Sequence, residues 1–255
     1  GGGRGGGGGG RGAGGGGGGG GGRGGVGRGG EAQQGGVEGG LGGGRRDRRE
    51  RRVRGAERAA GEGEAGKAKE RFAMTADDLC WLPASELAPA IKRRKLSPVE
   101  VMKAVLARIE RLNPRLNAFV TLTGDQAMKD ARAAERALMK KGARLGPLHG
   151  VPFSTKDLVI TKGVRTTFGT RLFADNVPSE DAPMVERLRA AGAIQLGKTN
   201  TPMMGWIGAT HNLLFGITRN PWNLDRTPGG SSGGASAAVA AGLGPLAIGT
   251  DGGGS

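Results

Sequence analysis

Arg226–Ser255 reads RTPGGSSGGASAAVAAGLGPLAIGTDGGGS. Two glycine-flanked serines stand 24 positions apart in it, Ser231 in GGSSGG and Ser255 in GTDGGGS. The small residues between them predict a helix over 233–241, opened by Ser232 and closed by Gly242. Pro245–Gly249 predicts a short buried strand, followed by a loop to Ser255. Lys156, in HGVPFSTKDL, stands 75 positions before Ser231. Its place at a strand end among apolar neighbours favours burial over a surface pair with Asp157. Burial disfavours the ammonium form, and a neutral amine accepts a proton from a hydroxyl. Serines held by glycines, a distant lysine and no well-placed histidine suggest a nucleophile activated by an amine.

Working outward, the chain alternates helix and strand from Met74 on. Ser85–Leu96 is short and amphipathic. Ser97, Pro98 and Glu100 read as N-cap, first turn and capping-box partner of a helix. Val101, Val105, Ile109 and Leu112 form its apolar face, and Pro114 is expected to end it. Asn117–Leu122 reads as extended, and Asp125 as the cap of a helix reaching about Lys141 with Ala127, Ala131, Ala134 and Leu138 inward. Leu148–Ile160 is β-like and Gly163–Asn176 loop-like. Ser179 or Asp181 is expected to cap a further helix through Ala191, and Ala193–Leu196 is a short buried strand. Residues 199–227 are irregular, with Trp206 and Trp222 read as core plugs ahead of pocket walls. That rhythm predicts an α/β fold with parallel pairing.

Two other motifs compete and lose. Gly192-x-x-x-x-Gly197-Lys198-Thr199 matches a phosphate-binding loop by letter. A helix precedes it, its middle residues look like the strand, and Pro202 follows at once. Gly229-x-Ser231-x-Gly233 matches a nucleophile elbow, which needs a strand before it and a histidine after it. NPWNLDRTP is a poor strand, and both histidines, His149 and His211, lie upstream. Two histidines and one cysteine at wide spacing make no metal-ligand set, so neither metal nor cofactor is expected.

Composition divides the chain. Residues 1–44 hold 31 glycines, and 45–73 are charge-dense without an apolar stripe. Residues 1–73 are expected to be a disordered tail. Met74 is the first methionine, and the tail is read as an upstream-start artefact or part of a longer read. The alternative is a nucleic-acid-binding Gly/Arg tail, which the wide arginine spacing disfavours. The tail holds 15 Lys and Arg against 8 Asp and Glu, a net of +7; the remainder holds 23 against 15, a net of +8. The single cysteine, Cys80, excludes an internal disulfide and favours a reducing, cytoplasmic setting. No apolar run reaches membrane-span length.

GGSSGGASAAVAAGLGPLAIGTDGGGS, with GPLHGVPFSTKDL, RLRAAGAIQLGKTNTP and LLFGITRNPWNLDRTPGGSSGG upstream, resembles the amidase signature family of Ser–cis-Ser–Lys amidohydrolases. The resemblance runs from about Thr75 to Ser255. It implies an α/β domain with a mixed sheet flanked by helices, 74–255 being its N-terminal portion. It implies Ser255 as the acyl-forming nucleophile, Ser231 as the cis-peptide serine that relays the proton, and Lys156 as the neutral base. The amides of Gly252, Gly253, Gly254 and Ser255 fall at the oxyanion hole, and Ser232 and Asp251 at supporting positions. The implied reaction is hydrolysis of a small carboxylic amide to an acid and ammonia or an amine. An alternative within the fold is the glutamine-hydrolysing subunit of a tRNA-dependent amidotransferase. Those relatives typically read KTNMDEF where this chain has Lys198–Met204, KTNTPMM. The family's domain continues past the nucleophile, so the isolated 255-residue chain is expected to be inactive, with an open sheet edge.

Overall fold

A computed structural model describes residues 74–255. The expected Gly/Arg tail and any nucleic-acid role for it lie outside the described residues. The domain begins with three helices, α1 (Ala76–Trp81), α2 (Ala84–Lys92) and α3 (Pro98–Leu116). Ser97 caps α3 by accepting the amides of Val99 and Glu100. Its hydroxyl proton goes to Glu135. The expected box is not formed, because the Glu100 carboxylate makes no bond back to the Ser97 amide. Pro114 does not end α3; the helix runs on to Leu116 and closes at Asn117 in the left-handed region. The Asn113 side chain makes the exit by accepting the amides of Ala118 and Phe119.

Strand β1 (Phe119–Leu122) leads into α4 (Gly124–Met139). Asp125 lies in the first turn of α4 and is not its cap; Thr123 holds that position without a capping bond, its hydroxyl donating to the Gln195 carbonyl instead. After β2 (Pro152–Lys156), a long loop leads to α5 (Pro183–Ala190). The cap of α5 is Ala182, not Ser179 or Asp181. The Asp181 carboxylate is drawn instead to the Lys162 amide and the Arg189 guanidinium. Then follow β3 (Ile194–Thr199), a small hairpin of β4 (His211–Asn212) and β5 (Gly216–Ile217), α6 (Gly233–Ala240) and β6 (Ala247–Ile248). The last is half-buried and shorter than the expected 245–249.

The main sheet has the order β1-β3-β2-β6. β3 pairs antiparallel with β1 and parallel with β2, and β2 pairs parallel with β6. Every residue of β2 and β3 is buried, as central strands covered on both faces must be. The core packs Met102, Val105 and Ile109 of α3 against Ala127 and Ala131 of α4, Leu196 of β3 and Ala237 and Ala238 of α6. The other face of the sheet holds Phe153 and Val159 against Val185 and Ala193. Gly197 has a reason of its own: φ is +146°, and a Cβ there would sit 2.1 Å from the Thr121 carbonyl oxygen. Gly192 sits just past the end of α5 at φ +85°. Both glycines of the phosphate-loop pattern thus serve chain geometry. Trp206 and Trp222 are 85% and 86% exposed, so neither is a core plug.

Candidate active site

The ends of β2, α6 and β6 meet at one point. Lys156 is the last residue of β2 and is fully buried. Its Nζ lies 2.6 Å from Ser231 Oγ, 3.0 Å from Ser232 Oγ and 3.3 Å from the Thr250 carbonyl oxygen. Ser231 Oγ in turn lies 2.6 Å from Ser255 Oγ. Lysine, serine and serine therefore form one continuous hydrogen-bonded chain, and its far end, Ser255, is exposed. The Gly230–Ser231 peptide bond is cis.

The two neighbouring serines are not equivalent. Ser232 Oγ donates to the Thr250 carbonyl and accepts the Thr250 amide. With its proton so committed, it can only accept from Lys156. The Thr250 carbonyl is an acceptor by nature. A neutral amine has two N–H groups and one lone pair, and these two partners take both N–H groups. The lone pair is left facing Ser231, whose hydroxyl can give its proton to the amine and receive one from Ser255. Burial pushes the Lys156 amine down to about 8, partly offset by the negative charge of Asp251. Near pH 8 the proton is shared almost evenly between bound and free.

The serine loop is fixed by close packing. A Cβ at Gly234 would lie 2.3 Å from the Asn200 nitrogen, and one at Gly233 would lie 2.2 Å from Thr210 Oγ1. Thr210 Oγ1 donates to the Gly229 carbonyl and accepts the Gly233 amide, bracketing both serines. No sequence pattern singles out Thr210. Ser232 precedes α6 at the cap position but makes no capping bond, because its hydroxyl is used by Thr250 and Lys156.

The amides of Gly253, Gly254 and Ser255 converge on one oxygen, Asp251 Oδ1, at 2.9, 2.6 and 2.9 Å. Gly252 stands outside this set of donors. Those amides, the Ser255 amide foremost, hold the Asp251 carboxyl below the usual carboxylate range. Three successive N–H groups aimed at one anionic oxygen form a nest of the kind that stabilises developing negative charge. The histidines are elsewhere engaged or exposed: a ring nitrogen of buried His149 bonds the Ala134 carbonyl oxygen, and His211 is exposed in β4. Asp157, beside Lys156, is buried and holds Thr167 instead of the lysine.

A buried lysine joined through one serine to a second, on a mixed sheet with helices on both faces, defines the class of site. Residues 100–255 match the family model Amidase, and the chain belongs to that family, the amidase signature enzymes. It is 51% identical over 182 residues to an acylamidase of Rhodococcus erythropolis, covering 71% of this chain and 38% of that relative. It is 48% identical over 178 residues to a glutamyl-tRNA(Gln) amidotransferase component of Moorella thermoacetica, covering 70% and 36%. Among solved structures, fatty acid amide hydrolase superposes with a TM-score of 0.67 at 31% identity, over 70% of this chain and 32% of that one. A bacterial aryl acylamidase of the amidase signature family gives 0.63 at 39%, over 66% and 35%. The chain thus spans about a third of the length of these relatives.

Proposed function

We propose that this chain carries the catalytic trio of an enzyme that hydrolyses a small carboxylic amide through a serine acyl-enzyme. The observation that carries the reading is the unbroken Lys156–Ser231–Ser255 hydrogen-bond chain, with both links at 2.6 Å. Ser255 Oγ attacks the amide carbonyl carbon as its proton passes to Ser231, whose own proton passes to the neutral Lys156. The tetrahedral oxyanion takes the amides of Gly253, Gly254 and Ser255, displacing the Asp251 carboxylate. Collapse breaks the C–N bond, and the relay returns the proton to the leaving amine or ammonia. Water, deprotonated by the same relay, then cleaves the acyl ester and frees the acid.

The amine and both serines account for every proton, so the trio itself requires no metal or cofactor. Residues 74–255 act as the N-terminal portion of the amidase domain. The lone buried thiol of Cys80 fits a cytoplasmic setting. No described helix is long and apolar enough to cross a membrane. The test is a chimera in which residues 74–255 replace the matching portion of the Rhodococcus erythropolis acylamidase. Amide hydrolysis that falls by about 10³-fold or more in Lys156→Met supports the reading. Hydrolysis within tenfold of the parent overturns it.

A second reading, the glutamine-hydrolysing subunit of a tRNA-dependent amidotransferase, has the 48% identity to the Moorella thermoacetica protein in its favour. Met203 and Met204 stand against it, being apolar and exposed where those relatives carry acidic and aromatic residues. Ammonia release from glutamine, set against release from simple acyl amides in the same chimera, separates the two.

A further inference from the structure

We infer that Lys198, the lysine of the discarded phosphate-loop pattern, is a positioning residue for the Lys156 amine. The inference rests on Lys156 acting as the base. In the parallel pair of β2 and β3, Thr155 stands opposite Lys198 and Lys156 opposite Thr199. Paired residues share a face, so the two lysines leave the sheet on opposite sides. Lys198 is fully buried. Its Nζ donates to the Val159 carbonyl and, at 3.0 Å, to Thr161 Oγ1. Val159 closes the turn that begins at Lys156, and Thr161 follows two residues on.

That turn sets where the Lys156 side chain starts. The Val159 amide donates back to the Lys156 carbonyl, and the Asp157 amide to the Thr199 carbonyl, each at 2.9 Å. The turn also carries Leu158. A Cβ at Gly205 would lie 2.6 Å from Leu158 Cδ1 and 3.5 Å from Ser231 Oγ, so both residues border Gly205. By tying down Val159 and Thr161, Lys198 fixes the turn that is anchored on the Lys156 carbonyl, and with it the start of the Lys156 side chain and its shelter from water. Burying a second amine here serves no proton transfer, because its donors end on a backbone carbonyl and a buried threonine. The charged groups around Lys198 are Asp157 and Asp181, which favour its ammonium, and Arg189, which opposes it. The charge that faces Lys156 is Asp251.

The experiment is competitive amine labelling of the full chain across pH, read by peptide mass spectrometry. It reports the apparent pKa and reactivity of Lys156 without requiring turnover. In the parent chain Lys156 labels far more slowly than exposed Lys162. In Lys198→Met the turn loosens, water reaches Lys156, and its apparent pKa rises by about one pH unit or more toward 10.5. Its labelling at pH above 10.5 accelerates by about fivefold or more. Thr161→Val, which removes one acceptor and leaves the lysine, moves both readouts the same way by a smaller amount, and it decides the matter if Lys198→Met does not fold. An unchanged Lys156 pKa and labelling rate in the folded variants overturns the inference, as does a parent chain in which Lys156 labels like Lys162. Absence of amide hydrolysis in the chimera would sink the catalytic reading while these amine readouts stood.

Discussion

At the residue scale, the proposed relay depends on one serine hydroxyl being free to move its proton while its neighbour is not. Ser232 is locked to both backbone groups of Thr250, while Ser231 faces an amine on one side and Ser255 on the other. Ser231→Ala should therefore cost about 10³-fold in kcat. Ser232→Ala should cost about tenfold, since it removes an acceptor without cutting the relay. Steady-state kinetics on the chimera checks both. In the proposed relay Lys156 reacts as the neutral amine, so kcat/KM should rise with pH through a midpoint near 8. Asp251 raises that midpoint by its charge, so Asp251→Asn should lower it while weakening the reaction. An upward movement of the midpoint in Asp251→Asn contradicts this account.

The residues by themselves point to serines held by glycines and a lysine at a strand end, which the structure brings into one hydrogen-bonded chain; which serine attacks and which relays comes from the family resemblance. What was not legible was anything decided by a partner distant in sequence. Asp181 looks like a helix cap, yet Lys162 and Arg189 compete for its carboxylate and win. Trp206 and Trp222 look like core residues by size, but composition is silent on which face a loop turns outward.

At the scale of elements, β3 is the organiser. It lies between β1 and β2, and Asn200, the residue just past its end, accepts the Gly234 amide at the start of α6. β3 is thus linked to both the lysine strand and the serine helix. Its Gly197 admits β1 at a distance no side chain tolerates. Gly197→Ala combines that clash with a left-handed φ and should destabilise the fold by about 3 kcal/mol or more. Equilibrium unfolding in urea measures it, and a loss below about 1 kcal/mol would show that the two strands part easily. The same crowding explains the phosphate-loop resemblance: glycines required for strand approach and helix exit fell by coincidence at the motif's spacing.

At the scale of the whole molecule, two fully buried lysines on opposite faces of one sheet make stability depend on pH. Both amines are pushed down from 10.5 to about 8 by burial. Between those values the unfolded chain binds more protons than the folded one, so stability should rise with pH from about 8 to 10.5 and then level. Below pH 8 both amines are charged in either state, and the burden of burying them is fully present. The Cys80 thiol, pushed up by burial, acts in the opposite sense above pH 9.0, so the measurement belongs in a Cys80→Ala background. Thermal unfolding across that range, repeated in Lys156→Met and Lys198→Met, assigns the rise; a flat profile would mean that neither amine is desolvated.

The most direct test of the central claim is to trap the acyl-enzyme. A slowly deacylating activated amide, given to the chimera and followed by peptide mass spectrometry, should leave its acyl group on Ser255, with Lys156→Met abolishing the adduct. An acyl group found on Ser231 in the parent, or an undiminished Ser255 adduct in Lys156→Met, would contradict the Lys156–Ser231–Ser255 relay.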